Sequence, residues 1–296
     1  MNKFKVILEM IKFEHTIFAL PFAFVGAILG TQIAFQAGDG IHASSWPTWG
    51  QIFWIVLAMV GARSAAMALN RQIDRFIDAK NPRTSTRAIP AGKITSKEIL
   101  LFIAGSFILL FVSAYMLNPL AVKLLPVAVF FLVLYSYTKR FTWACHYILG
   151  IAIALAPLGG WVGATGTLHW ESVLLFLAIL FWTAGFDIIY ATQDTEFDKK
   201  ANLYSIPSYF GVAKALWISR VSHVLAAGLL FSLYFFTPLG WIYLIGCFVA
   251  AGILIYEHSL VKANDLSKVD VAFFTMNGIL SVVIFVFTIT DLVILQ

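Results

Sequence analysis

The sequence predicts an all-α integral membrane protein: a single domain over residues 1–296, built as a bundle of nine transmembrane helices. Three observations predict it. Sixty per cent of the residues are hydrophobic and only 12 % are charged, with a mean hydropathy of +0.88. A soluble domain carries about 25 % charged residues, so this chain has too few to cover a water-facing surface. Nine apolar segments can each cross a bilayer core of about 30 Å, which takes roughly 20 residues. Lysine and arginine cluster in every second connection, which places the N-terminus in the cytoplasm and the C-terminus outside.

The first segment, 16–36, outruns a signal-peptide core and ends in no small-residue cleavage site, so it is expected to remain as the first span. The second covers 51–70. The third and fourth, 97–117 and 119–137, are parted only by Asn118-Pro119. The fifth and sixth run over 143–164 and 170–191. Thr237-Pro238-Leu239-Gly240 separates the seventh, 212–236, from the eighth, 238–257, and the ninth covers 271–294. Proline and glycine at these junctions break helices that would otherwise be overlong.

Lys3, Lys5 and Lys12 precede the first span, and Arg71, Arg75, Lys80, Arg83, Arg87, Lys93 and Lys97 follow the second. Lys139 and Arg140 follow the fourth span, Lys199, Lys200 and Lys214 the sixth, and Lys262 and Lys268 the eighth. The loops at 36–50 and 166–170 carry none. The net charge of +5 is therefore a topological bias, and no nucleic-acid partner is implied. Membrane lipid is the expected surrounding: a multi-pass protein of the cell (inner) membrane. Cys145 and Cys247 lack a neighbouring Cys or His at metal-ligand spacing and read as buried free thiols. His146, His223 and His258 show no partner pattern and read as satisfied interhelical residues.

Two acidic constellations stand out. Asn70, Asp74 and Asp78 end the second span at i, i+4, i+8 spacing, which shares one helical face. Asp187, Asp194 and Asp198 end the sixth at spacings of seven and four, again one face. An even number of crossings separates them, so both open toward the cytoplasm. Carboxylates converging on one volume repel each other unless a cation neutralises them. Magnesium suits oxygen-only ligands and binds through a few carboxylates, phosphate oxygens and water. The expected cofactor is Mg2+, held by Asn70, Asp74, Asp78, Asp194 and Asp198, and gripping a diphosphate. Arg83, Arg87, Lys139 and Arg140 supply cations for that diphosphate; arginine grips phosphate in a bidentate fork and lysine acts as a point charge. A solvated charged face is the bland alternative for either motif alone. Two triads on one side of the membrane argue against it.

Asn70-x3-Asp74-x3-Asp78 and Asp187-x2-Tyr190-Ala191-x2-Asp194-x3-Asp198 resemble the two aspartate-rich motifs of the UbiA family of intramembrane prenyltransferases. The resemblance covers essentially the whole chain. Within the family, Gly185-Phe186-Asp187-Ile188-Ile189-Tyr190 and Lys12-Phe13-Glu14-His15-Thr16 resemble the branch that prenylates 4-hydroxybenzoate. One departure is visible: a family glycine after the second motif is replaced by Lys199-Lys200-Ala201-Asn202, where Asn202 tolerates the same left-handed backbone.

The resemblance implies an enzyme that transfers a polyprenyl group from polyprenyl diphosphate to an aromatic carboxylic acid in quinone biosynthesis. Metal and basic residues would stabilise charge as the allylic C–O bond breaks, and an electron-rich ring carbon would attack the allylic cation. Depth along the helix then divides the residues. Asp187 precedes Asp194 by seven residues, about 10 Å along the axis, and Arg63 precedes Asn70 by the same distance. Arg63 is expected to meet the acceptor's carboxylate, while Asp187, with Tyr190 nearby, orients its hydroxyl or takes a proton. The alternative is a buried Arg63–Asp187 pair with no substrate role. Other acceptors (a dihydroxynaphthoate above all, or haem or a chlorophyllide) and, from a different class, an ion-coupled transporter remain as rival functions.

Overall fold

The computed structural model describes residues 3–11, 19–39 and 44–295, without the side chains of Phe4 and Lys5. The run Lys12–Thr16 and the first residues of the first predicted span lie outside the described residues. Among the described residues, regular structure is helical, apart from one isolated bridge between Lys262 and Asp265.

A short helix α1 (Lys3–Met10) precedes the spans. The first two spans are α2 (Leu20–Ala37) and α3 (Trp49–Ile73), the latter extended by α4 (Arg75–Lys80). Next come α5 (Ser96–Leu117), α6 (Pro119–Thr138), α7 (Cys145–Thr165) and α8 (Trp170–Ala191). A single 3₁₀ turn, Thr192–Asp194, leads into α9 (Thr195–Lys200), and α10 (Ile206–Phe210) follows. The last spans are α11 (Val212–Phe236), α12 (Trp241–Leu260) and α13 (Asn277–Leu295), α13 preceded by a π-helical turn at Val271–Met276. Nine of these stretches are long and apolar enough to cross a membrane, as the sequence predicts.

The ends of the spans follow from local chemistry. Thr48 and Thr95 each close a capping box, with Gln51 and Glu98 respectively. Asn118 caps α6, whose first residue is Pro119, and its amide also donates to Val162 O and Gly163 O on α7. Gly38 and Gly166 end α2 and α7 in the left-handed region, which glycine enters without a Cβ penalty. Asn202, with φ 53°, is the one non-glycine residue at positive φ among the described residues. It thus takes the conformation expected where the family glycine is missing.

α2, α7 and α8 form the centre, and α6 lies almost wholly on the outside. Large apolar side chains such as Leu101, Ile108, Val224 and Ile255 point outward, a surface suited to lipid and not to water. Inside, the helices meet through small residues. A Cβ added at Gly26 would come 2.0 Å from Pro157 O, and one at Gly160 would come 2.0 Å from Ala23 O. Close backbone approach at small residues is how helices pack where lipid removes the hydrophobic drive between them. Gly26→Ala is therefore expected to destabilise the protein by the ~1–3 kcal/mol typical of overpacking or more, read as a lower thermal midpoint in detergent. Gly252→Ala, where nothing lies within 4 Å, is the control and should leave it unchanged.

Candidate active site

At the α3–α4 end of the bundle lies a cavity of about 710 Å³. Arg63, Asn70, Asp74, Asp78, Arg83, Arg87, Lys139, Asp187, Tyr190, Asp194 and Asp198 all line it. The structure thus brings together every residue singled out from the sequence except Arg140, which stands behind Asp74. Val6 and Met10 of α1, a helix not foreseen from the sequence, also reach the cavity.

Neither acidic motif is one unbroken helix. α3 ends at Ile73, Asp74 forms the junction with φ −88° and ψ 4°, and α4 restarts at Arg75. The peptide of Asp78 still donates to Asp74 O at 2.7 Å, so the i, i+4 register survives the bend. The second motif breaks likewise at its 3₁₀ turn, with Asp194 as the junction before α9. These matched breaks turn both motifs toward the cavity.

The carboxylates and cations pair one to one. Arg140 Nη2 donates to Asp74 Oδ1 at 2.8 Å, and Arg87 Nη1 to Asp78 Oδ1 at 2.6 Å. Arg83 grips Asp194 in a fork, through Nε to Oδ1 at 3.0 Å and through Nη2 to Oδ2. Lys139 Nζ lies 3.6 Å from Asp198 Oδ2. Arg83 and Asn81 come from the loop after the first motif yet bind Asp194 of the second, Asn81 at 3.1 Å. The two motifs are thereby stitched across the cavity. Arg140 also donates to Ser136 O and Ile73 O, which fixes Asp74 at the bend.

The fields are strong here. Burial pushes the Asp74 carboxyl above its ordinary range, and Arg140 pulls the other way without cancelling it. Burial alone would lower Arg83 and Lys139, but Asp194 and Asp198 outweigh it and hold both above their ordinary values. Arg83 and Lys139 are thus held charged, each against its carboxylate.

Among the described residues, no three His, Cys, Asp or Glu side chains stand close enough to hold a metal by themselves. The donor set nevertheless fits a hard divalent ion. Asp78 Oδ2 is buried and accepts no hydrogen bond, Asp198 Oδ2 is buried with only the more distant Lys139 Nζ facing it, and the nearby ligands are oxygens. Such orphaned oxygens suit a cation that completes its shell with phosphate and water.

Below the charged rim the cavity becomes aromatic. Trp182, Phe186 and Tyr190 recur every fourth residue along α8, and Tyr190 stacks on Phe273 with ring centroids 4.1 Å apart. Phe273 and Phe274 belong to the π-helical turn, a device common at functional sites. Asn277 Nδ2 donates to Ala272 O and Phe273 O at the end of that turn. Arg83 Nη1 donates to the Tyr190 hydroxyl at 3.0 Å, which links rim to wall.

Sequence reasoning missed three residues. Asn81 bridges the motifs; an Asn-Pro pair beside the first motif was its only signal. Arg71, partly buried, donates to Asn70 Oδ1 at 3.3 Å and adds charge beneath the rim. His146, read as a merely satisfied residue, places Nδ1 2.6 Å from Asp187 Oδ2. The other two histidines pair with each other, His223 Nδ1 to His258 Nε2 at 3.0 Å. Cys145 and Cys247 are buried and free, as expected.

A helical membrane bundle whose charged rim opens over an aromatic pocket defines an intramembrane site for an amphiphilic ligand, polar at one end and apolar at the other. The UbiA prenyltransferase family profile matches residues 18–279. The chain belongs to this family, and it is a prenyltransferase of the aromatic type named in its relatives. A 4-hydroxybenzoate octaprenyltransferase from Vibrio campbellii is 31 % identical over 241 residues, covering 80 % of this chain and 83 % of the relative. The apo structure of a UbiA homolog from Aeropyrum pernix K1 matches with a TM-score of 0.83 and 31 % identity, over 94 % of this chain and 98 % of that one. A UbiA homolog from Archaeoglobus fulgidus bound to GPP and Mg2+ shares the fold, with a TM-score of 0.69 and 20 % identity over 98 % and 100 % of the two chains.

Proposed function

We propose that this protein, acting as one domain over 1–296, transfers a polyprenyl chain from polyprenyl diphosphate to 4-hydroxybenzoate in respiratory quinone biosynthesis. The observation that carries the reading is the layered cavity: four acid–base pairs at the rim, aromatic rings below, and Arg63 among the lining residues on α3. The relatives' names supply the acceptor, and the fold relative with GPP and Mg2+ supports the donor and the metal. The lysine and arginine pattern supports an active site facing the cytoplasm from the inner membrane.

Asn70, Asp74, Asp78, Asp194 and Asp198 would hold Mg2+. When bound, the metal supplies positive charge to the diphosphate leaving group. Arg83, Arg87 and Lys139 bind and orient the diphosphate oxygens, and Arg140 holds Asp74 in place. As the allylic C–O bond breaks, its electron pair leaves with the diphosphate. The Trp182–Phe186–Tyr190 wall excludes water, which would trap the cation as an alcohol, and its faces attract positive charge. Arg63 binds the acceptor's carboxylate and Asp187 its hydroxyl. A ring carbon ortho to that hydroxyl forms the new C–C bond, and the ring then loses its proton to Asp187. Tyr190, hydrogen-bonded to Arg83, stands between the two halves of the reaction.

The test is an acceptor panel: membranes containing the protein, labelled geranyl diphosphate, and either 4-hydroxybenzoate or a dihydroxynaphthoate, with products identified by mass. Ring-prenylated 4-hydroxybenzoate is expected; a prenylated naphthoate alone would move the protein to the menaquinone branch. Arg63→Ala is expected to raise the acceptor KM by ~10- to 100-fold with the donor KM unchanged, the cost of one charge-assisted pair. A normal acceptor KM in that variant overturns the carboxylate assignment.

A further inference from the structure

We propose that His146 is the positioning residue for Asp187, fixing the carboxylate's orientation and its role as the last proton acceptor. The proposal rests on the reading of Asp187 as the group that meets the acceptor's hydroxyl.

Both ring nitrogens of His146 are occupied, and the partners dictate the tautomer. On one side Ile206 N points at Nε2 over 3.2 Å. A backbone N–H can only donate, so Nε2 carries a lone pair and no proton. Ile206 is the first residue of α10, where the helix leaves its N–H groups without intrahelical acceptors. The imidazole proton therefore sits on Nδ1, which faces Asp187 Oδ2 at 2.6 Å. Nδ1–H thus donates to Asp187 Oδ2, and Asp187 Oδ1 is left for a ligand in the cavity.

Two consequences follow. The ring is fully buried and joins three elements: α7, which carries it, α8, which carries Asp187, and the loop into α10. That loop is tied to the rim, because Leu203 N donates to Asp198 O at 2.8 Å and Tyr204 N to Lys139 O at 2.7 Å. One imidazole thus sets Asp187 in register with the rim carboxylates. Furthermore, His146 cannot take a second proton without breaking the bond from Ile206. A proton removed from the acceptor stops at Asp187 and is not relayed inward to the histidine.

The experiment is a double-mutant cycle on the full-length protein in detergent, with geranyl diphosphate and the acceptor that the panel identifies. His146→Leu removes the donor to Asp187 and is expected to lower kcat by ~10- to 100-fold, the range typical for a partner that orients a functional ligand. The donor KM should not move. In an Asp187→Asn background the same change should cost less than about 3-fold, because there is no carboxylate left to orient. His146→Asn, whose amide nitrogen takes the place of Nδ1, should restore kcat to within about 3-fold of wild type.

An equal loss in both backgrounds overturns the proposal, since His146 would then act only by anchoring the loop. An Asn variant as poor as the Leu variant, with an unchanged thermal midpoint, overturns it too. If His146→Leu does not fold, His146→Ala, which also removes the donor, carries the same decision in both backgrounds. Wild-type kcat in Asp187→Asn overturns the reading of Asp187 itself, a result distinct from an additive cycle.

Discussion

Asp74→Asn together with Asp194→Asn lowers kcat by about 10⁴-fold or more while the helical bundle persists, judged by circular dichroism and thermal midpoint in detergent. Removing one group that stabilises developing charge costs about 10²- to 10³-fold, and these two lie on opposite motifs of one constellation. The double change takes the rim from four carboxylates against four cations to two against four. Diphosphate then still meets its basic residues, so donor binding should suffer less than turnover. The expected signature is a collapse of kcat with a donor KM within about 10-fold of wild type. Measurement of both constants checks it. Turnover near the wild-type level in this variant would remove the aspartates from the chemistry.

The second large effect concerns how metal and diphosphate arrive. Every rim carboxylate already holds a cation: Asp74 has Arg140, Asp78 has Arg87, Asp194 has Arg83 and Asp198 has Lys139. A metal ion binding alone must displace those cations and leave them unpaired in a partly buried site. Diphosphate binding alone must pull the same cations from carboxylates that then face each other. Each disruption costs about 1–3 kcal/mol, between an exposed pair and a fully buried one. Arriving together, metal and diphosphate supply each displaced group with a new partner. Inorganic diphosphate is therefore expected to bind at least ~100-fold more tightly with Mg2+ than without, a coupling of about 2.7 kcal/mol. By reciprocity, diphosphate tightens Mg2+ by the same factor. Calorimetric titrations of each ligand in the presence and absence of the other, corrected for their association in solution, measure it. Equal affinities would show that the internal pairs do not guard the site.

Much of this architecture was legible because the bilayer imposes a simple rule on the chain. Spans 170–191 and 212–236 coincide with α8 and α11, since an apolar run of fixed length can only be a helix there. The eighth span is instructive in the other direction. The sequence predicts 238–257, yet α12 runs Trp241–Leu260. Its start is set by Asp291 of α13, whose carboxylate accepts from Gly240 N and from Tyr243 N. A cap supplied from fifty residues away leaves no local trace. The ninth span was found, but not the π-helical turn that opens it, because apolar periodicity cannot distinguish one hydrogen-bond register from the next.

The site shows the same division. Asn70, Asp74 and Asp78 declare themselves by spacing, and so do Asp194 and Asp198. Their partnering with Arg140, Arg87, Arg83 and Lys139 does not, because it depends on how far each side chain reaches across the cavity. His146 is the clearest case. Nothing at its position in the chain points to Asp187, forty-one residues on; only the packing of α7 against α8 brings them together. The aromatic wall lay between these extremes. Twenty-seven phenylalanines gave no way to choose, whereas the structure selects Phe186, Phe273 and Phe274, with Trp182 and Tyr190.

A transporter remains the rival of a different class, because ionisable residues within a membrane often mark an ion path. The acidic and basic residues that line this cavity gather at one end of the bundle, above a pocket walled with aromatic rings. The most direct measurement is the stoichiometry of diphosphate release by the purified protein in detergent, given geranyl diphosphate, 4-hydroxybenzoate and Mg2+. One diphosphate released per prenylated acceptor, abolished by chelation and restored by Mg2+, is the predicted result. Acceptor prenylation that continues undiminished in excess chelator, or intact geranyl diphosphate recovered in full with metal present, would contradict it.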